Sequence, residues 1–296
     1  MLTPNDELIL QSRGISASQI QTQLNAFVTG FPYLEIRSAA EPGKGIVQIA
    51  DAELQGILAE WDNYLQTEAD ILKFVPASGA ASRMFKDLFE FLEGANNEPA
   101  SKFEIKFFDE IRKFAFFEEL DAVCAKNEGK SIEQLIAIGE YKAIVANLLL
   151  EKGLNYGALP KGLLRFHSYS DAKRTPMQEH LVEGALYANN KLNVVNIHFT
   201  VSKEHRSLFE KHLNESLSAF EAKFGVQYKV SFSEQKPSTD TIAADAENNP
   251  FRDKGELVFR PGGHGALIEN LNDLNGAVIF INHIVNVVPV SLQAET

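Results

Sequence analysis

Arg83 follows directly on a run of small residues, Ala77-Ser78-Gly79-Ala80-Ala81-Ser82, which itself follows the apolar run Ile71-Leu72-Lys73-Phe74-Val75 and Pro76. A short apolar run ended by proline reads as a buried strand, and beyond Arg83 the residues Phe85, Leu88, Phe89 and Leu92 recur at helical spacing. A strand, a loop of small residues and a helix start together let backbone N–H groups approach a phosphate chain, with the helix dipole and a cation neutralising it. The chemistry such a site supports is nucleotide binding. The loop is not a Walker A motif, because no Gly-Lys-Ser/Thr follows, and with one glycine it is not a dinucleotide fingerprint. Taken alone, it also fits a tight strand-to-helix turn packed with alanines.

Three other segments carry residues of the same kind. Pro160-Lys161-Gly162 precedes Leu163-Leu164-Arg165-Phe166, read as a short strand, and then the capping box Thr175-Pro176-Met177-Gln178. Lys161 is thus placed to reach phosphate, although Pro-Lys-Gly by itself also makes a surface turn. Ser233 to Ala243, which includes Gln235, is a polar segment after a strand and equally fits a solvated loop. Pro261-Gly262-Gly263-His264-Gly265 opens a helix; its glycines let backbone approach a flat ligand, and His264 can donate or accept a hydrogen bond. His264 with Glu256 or Asp253 would also suit a hydrolase, but no nucleophile sits in a strand-to-helix elbow.

These segments need a scaffold, and the pattern supplies one. Residues 1–66 read as an N-terminal helical extension, with Ser18 and Asp51 as helix caps and a loop at Glu41-Pro42-Gly43-Lys44-Gly45. Residues 67–296 read as one α/β domain: strands at 71–75, 194–201, 228–232, 257–259 and 277–281 alternate with helices at 83–93, 176–189 and 264–274 and one carrying Phe209, Leu213, Leu217, Phe220 and Phe224. Residues 99–156 form a helical insertion with a capping box at Ser131-Ile132-Glu133-Gln134, followed by a Gly- and Asn-rich loop from Gly153 to Pro160. That order implies a mixed, mostly parallel sheet with helices on both faces, whose ligands sit at the carboxyl ends of the strands. The chain ends fifteen residues after its last strand, so the domain is expected to continue past Thr296.

Composition bounds the partners. A hydrophobic content of 45% over 296 residues supports a sizeable core, and much of the phenylalanine (21 residues) is expected to lie there. A net charge of −12 argues against a nucleic acid duplex but leaves room for a mononucleotide, which needs a few local cations. No apolar run approaches the roughly 20 residues of a membrane span. One cysteine, Cys124, and an N-terminus without a basic stretch and apolar core point to the cytoplasm, although a cysteine-poor exported protein has the same features.

The four segments in this order resemble the sugar nucleotidyltransferases, and within them the UDP-sugar pyrophosphorylases, over residues 71–289. Ala77 to Arg83 stands in place of the family's Gly-Gly-x-Gly-Thr-Arg, and Pro160-Lys161-Gly162 matches its Pro-Lys-Gly. Thr175 to Leu181 matches its next helix, and Pro261 to Ile268 its Pro-x-Gly-x-Gly-x-Leu/Ile segment. The chain also resembles a numbered bacterial family of unknown function over most of its length. The first resemblance implies a Rossmann-like fold of the nucleotide-diphospho-sugar transferase (GT-A-like) kind. It implies transfer of a nucleotidyl group from a nucleoside triphosphate to a sugar phosphate with release of pyrophosphate. It also implies Arg83 and Lys161 as catalytic cations, and nucleotide contacts from Ala77, Ser78, Gly79, Ala80, Ala81, Ser82, Gln235, Gly262, Gly263 and His264. The family binds Mg²⁺ through an aspartate after its last strand; here Val285 holds that place and Asn286, a weak magnesium ligand, survives. Two signature glycines are absent, and Arg83 and Lys161 stand 78 positions apart where the family keeps them close. The alternative is a catalytically impaired nucleotide or nucleotide-sugar binding protein.

Overall fold

The computed structural model describes residues 2–79, 81 and 83–295. The chain forms two compact units, Met1–Ala69 with Gln235–Asn275, and Asp70–Glu234 with Gly276–Thr296. Among the described residues no helix is long and apolar enough to cross a membrane.

The first unit holds α1 (Pro4–Arg13), α2 (Ala17–Thr29) and α3 (Asp51–Leu65). Ser16, two residues before the expected cap, starts α2, because Gln19 then stands at the third helical position and closes a capping box. Asp51 is the first residue of α3 rather than its cap. Leu10, Ile15 and Ile20 pack with Ile242 and Leu257. Asp6 is fully buried. It caps α1 through Thr3 and receives both guanidinium nitrogens of Arg252 at 2.9 and 2.7 Å. That guanidinium, helped by hydrogen bonds from Thr3, holds the Asp6 carboxyl well below the usual carboxylate range. A depressed carboxylate adds stability above its ordinary pKa of 3.8, and the gain is lost as pH falls through and below that value. Asp6→Ala is therefore expected to cost at least the roughly 1 kcal/mol of a lost cap. The difference from the parent should narrow in urea titrations taken from neutral pH to about pH 3. Equal stability at neutral pH would refute this account of the unit.

The second unit is organised by β1 (Ile71–Pro76) and a block of helices, α4 (Lys86–Glu93), α5 (Lys102–Asp109), α6 (Phe117–Glu128), α7 (Ile132–Ala137) and α8 (Tyr141–Leu149). Then come α9 (Pro176–Tyr187), β2 (Val194–Val201), α10 (Arg206–Phe224), β3 (Gln227–Glu234) and β4 (Val278–Ile281). The four strands form one wholly parallel sheet in the order β4-β1-β2-β3. Strand register sets its two faces. Val75, Ile197, Phe199 and Val201 meet Met177 and Leu181 of α9 and Phe209 and Leu213 of α10 in one buried cluster. On the opposite face His198 bonds Ser231 and Ser233 at 2.8 Å each and stacks on Phe74. The helical block has its own core, with Phe85, Phe91, Phe107, Phe108 and Phe116 buried in it.

Three expected elements differ. The strand expected at 257–259 is not in the sheet: Glu256–Leu257 pairs with Arg252–Asp253 and Phe259–Arg260 with Thr241–Ile242, both in the first unit. Residues 163–166 do not form a strand: Lys161–Leu163 is a 3-10 turn, and pairing begins at His167–Ser168 with Lys173–Arg174. Leu163 packs on the sheet cluster while Leu164 enters the helical-block core, so these apolar residues join two cores without pairing to a strand. The helix expected over 264–274 is a 3-10 turn, His264–Leu267, followed by one short helix, Ile268–Asn272, consistent with the poor helix propensity of the glycines at its start.

Candidate functional site

The small-residue loop leaves the carboxyl end of β1, the inner strand beside β2, as expected for ligand binding in a parallel sheet. Ala77 N–H donates to the Thr200 carbonyl at 2.7 Å, extending the pairing one residue past the strand. Ala77 and Ala81 are both fully buried, so these two alanines are packing residues. Ser78 and Gly79 are half-buried between them, and a side chain added at Gly79 would meet nothing within 4 Å. Ala80 and Ser82 lie outside the described residues. Thr200 Oγ1, at the end of β2, is buried and has no hydrogen-bond partner among the described residues.

Two backbone hydrogen bonds join this loop to the Pro-Lys-Gly segment. Lys161 N–H donates to the Gly79 carbonyl at 3.1 Å, and Ala81 N–H donates to the Leu159 carbonyl at 3.3 Å. The helical block therefore closes on itself and returns the chain to the loop it left. Gly162 is required here for close approach: a Cβ would stand 2.8 Å from the Phe209 ring and 3.0 Å from Ile284. Arg83 is exposed and Lys161 half-buried. Neither has a carboxylate within 4.0 Å among the described residues, although the chain is strongly acidic. Arg83 sits in the turn that precedes α4, which begins three residues later at Lys86.

The segment after β4 lies along the same strand end. Asn282 N–H donates to the Phe74 carbonyl and Ile284 N–H to the Pro76 carbonyl, each at 3.1 Å. Val285, where the nucleotidyltransferase resemblance expects a carboxylate, packs on the apolar sheet cluster, and Asn286 is exposed in a turn closed on the His283 carbonyl. Among the described residues no three His, Cys, Asp or Glu side chains gather as a metal site.

The remaining predicted residues belong to the first unit. Gln235 and Gly262 are brought together there: a Cβ at Gly262 would stand 2.8 Å from the Thr239 carbonyl and 3.6 Å from Gln235 Nε2. The Gln235 amide donates to Thr239 and Asp240 at 3.4 Å each, so it braces its own turn. Gly263 is exposed and precedes the 3-10 turn, while the His264 side chain lies outside the described residues. Asp253 and Glu256 face each other across a small hairpin.

Helix α9 carries polar residues that the sequence reading passed over. Lys73, in the middle of β1, is fully buried, ion-paired with Glu183 and 2.6 Å from the Tyr187 hydroxyl. Burial pulls Lys73 down to about 8, against the opposing charge of Glu183. His180, also fully buried, lies 3.7 Å from Glu183 and 3.3 Å from the Ile284 carbonyl, and burial followed by the Lys73 charge keeps it neutral, well below its ordinary value. One turn earlier, buried Glu179 meets His167 at 3.0 Å, the Tyr169 hydroxyl at 2.7 Å and Arg174 at 3.2 Å. The signals were legible: a lysine interrupting an apolar strand, and Glu179 and Glu183 at i,i+4 within an apolar helix. Together these groups fix α9 to β1 and to the 167–174 hairpin, and through Ile284 to the segment after β4.

No curated protein and no solved structure matches the chain. A family profile described as "Domain of unknown function (DUF4301)" matches residues 3–296, in keeping with the expected numbered family, and the chain belongs to that family.

Proposed function

We propose that the chain binds the phosphates of a nucleoside triphosphate at the carboxyl end of the parallel sheet and transfers its nucleotidyl group to a sugar phosphate. The observation that carries this reading is the pinning of Lys161 to Gly79, which places the two motif segments side by side across a long insertion. Two cations without carboxylate partners flank a loop of small residues, which is the charge pattern a polyphosphate needs. The Rossmann-like, GT-A-like description belongs to the same reading and is supported by the parallel order of the four strands.

In the reaction, an oxygen of the sugar phosphate attacks the α-phosphorus. A new P–O bond forms, the bond to the β-phosphate oxygen breaks, and pyrophosphate leaves with the electron pair. The protein's part is positioning and charge neutralisation. Because the Ala77 and Ala81 amides are committed to the Thr200 and Leu159 carbonyls, the Ser78 and Gly79 amides hold the outer phosphates, Arg83 meets the departing pyrophosphate, and Lys161 meets the α-phosphate. The resemblance assigns reading of the base to Gln235, Gly262, Gly263 and His264; these belong to the first unit, and no contact with the phosphate loop is assigned to them. The residues present do not fit the family's magnesium site, since Val285 is packed in apolar surroundings and Asn286 is a neutral amide in a turn. No step is assigned to the metal.

That same valine favours a second reading, binding of a nucleotide or nucleotide sugar without turnover. The test is pyrophosphate release from a panel of nucleoside triphosphates with sugar 1-phosphates and magnesium, alongside calorimetric binding. Arg83→Ala and Lys161→Ala are each expected to weaken triphosphate affinity about tenfold, the worth of roughly 1.4 kcal/mol in a charge-assisted contact. Tight binding without pyrophosphate selects the second reading. Millimolar binding indifferent to both substitutions overturns both.

A further inference from the structure

The helical block contains a cavity of about 530 Å³ whose wall is largely aromatic. Its rings form an unbroken series of contacts: Phe103 to Phe107 at 6.5 Å, Phe107 to Phe114 at 5.4 Å, Phe114 to Phe116 at 5.0 Å, Phe116 to Tyr156 at 5.5 Å and Tyr156 to Phe85 at 6.2 Å. The space opens to solvent, and apolar surface gathered in one concavity marks an interaction site. Three large apolar side chains that line it stay open to solvent: Met84 is 41% exposed, Phe103 43% and Phe114 37%. Volume, apolar wall and a few polar groups together match small-molecule sites.

Charge narrows the ligand. An aromatic wall alone would suit a cation. Here the lining also includes Lys106, Lys113 and Arg165 against one carboxylate, Glu110. Lys113 pairs with Glu110 at 3.1 Å, and Arg165 is held by Glu119 at 3.2 Å and by the Lys173 carbonyl at 2.9 Å. Lys106 has no carboxylate within 4.0 Å among the described residues. With Lys113 and Arg165 already paired, Lys106 is left at the mouth to receive an anion. We infer that this cavity binds a small amphiphile with an aromatic body and one anionic group, the body among the Phe107, Phe116 and Tyr156 rings and the anion at Lys106. This site stands on its own residues and does not depend on the nucleotide reading.

The probes are 8-anilinonaphthalene-1-sulfonate, aromatic and anionic, and N-phenyl-1-naphthylamine, its neutral counterpart, titrated by fluorescence against the full chain. Both should bind saturably at one site, the sulfonate more tightly. Lys106→Glu, an exposed change, should weaken the sulfonate at least fivefold and leave the neutral probe within twofold. Ala115→Phe, which fills the cavity, should abolish both while circular dichroism stays native. Should that variant fail to fold, Phe103→Ser at the exposed rim should weaken both probes at least fivefold. Unsaturable or multi-site binding overturns the inference, as does sulfonate binding indifferent to Lys106→Glu and to the cavity variant that folds.

Discussion

Glu183→Gln is expected to destabilise the second unit by about 3 kcal/mol at neutral pH, because it leaves the Lys73 ammonium buried without its counter-charge. Lys73 is fully buried on β1, and its other contacts are the Tyr187 hydroxyl at 2.6 Å and the Tyr187 ring at 4.8 Å. The pH dependence separates this account from simple loss of packing. Burial holds the folded-state Lys73 at about 8 against 10.5 for the ordinary side chain. Between those values the unfolded chain binds the extra proton, so this group makes stability rise with pH across that window. In Glu183→Gln the opposing carboxylate is gone, the folded-state value drops further, and the rise should begin below 8. Urea titrations from neutral pH to about pH 9.5 read both effects. Replacing both partners with apolar residues, Lys73→Met with Glu183→Leu, should recover most of the loss, because two apolar groups leave no charge to compensate. A single variant as stable as the parent across the range would show that the pair carries no such energy.

How much of this was legible depends on whether the forces are local. The four sheet strands could be read because each is a short run rich in apolar residues, and the capping boxes at Ser131 and Thr175 because their partners stand three residues away. Ser18 misled as the cap of α2 because Ser16 lies just ahead and only Ser16 has Gln19 in the reciprocal position; Ser18 merely contacts Ser16 at 2.9 Å. The association of residues 235–275 with the N-terminal helices rests on long-range contacts without local signature. Arg13 meets Asp240 at 3.0 Å, and Gln23 accepts from the Ile242 N–H at 2.9 Å. At the candidate site, residue types could be read from sequence but their meeting could not. Nothing near Gly79 signals that Leu159 and Lys161 return to it.

That return is what Gly153→Ala should break, at a cost of about 3 kcal/mol, the upper end for forcing extra atoms into a packed site. After α8 the chain reverses and runs back along the last turn of the helix. Leu154, Tyr156 and Gly157 N–H groups donate to the carbonyls of Asn147, Leu148 and Leu149 at 2.7, 3.0 and 3.1 Å. A Cβ on Gly153 would fall 1.8 Å from the Asn147 carbonyl oxygen, the acceptor of the first of these bonds. Asn147 is itself buried and tied through its side chain to Asn127, Glu128 and the Ala143 carbonyl, so it has nowhere to retreat. Gly157 tightens the same passage, since a Cβ there would stand 2.5 Å from the Phe89 ring. Hydrogen exchange should therefore show lost protection at residues 154, 156 and 157 in the variant. Because this passage carries Lys161 back to Gly79, triphosphate binding should fall as well, although no residue of the proposed site has changed. Gly129→Ala is the control: its left-handed φ of 69° makes alanine cost about 1–2 kcal/mol in backbone strain, yet no neighbour lies within 4 Å and binding should hold. If Gly153→Ala lowers stability no more than Gly129→Ala and leaves the exchange pattern intact, the tight passage does not hold the two motifs together.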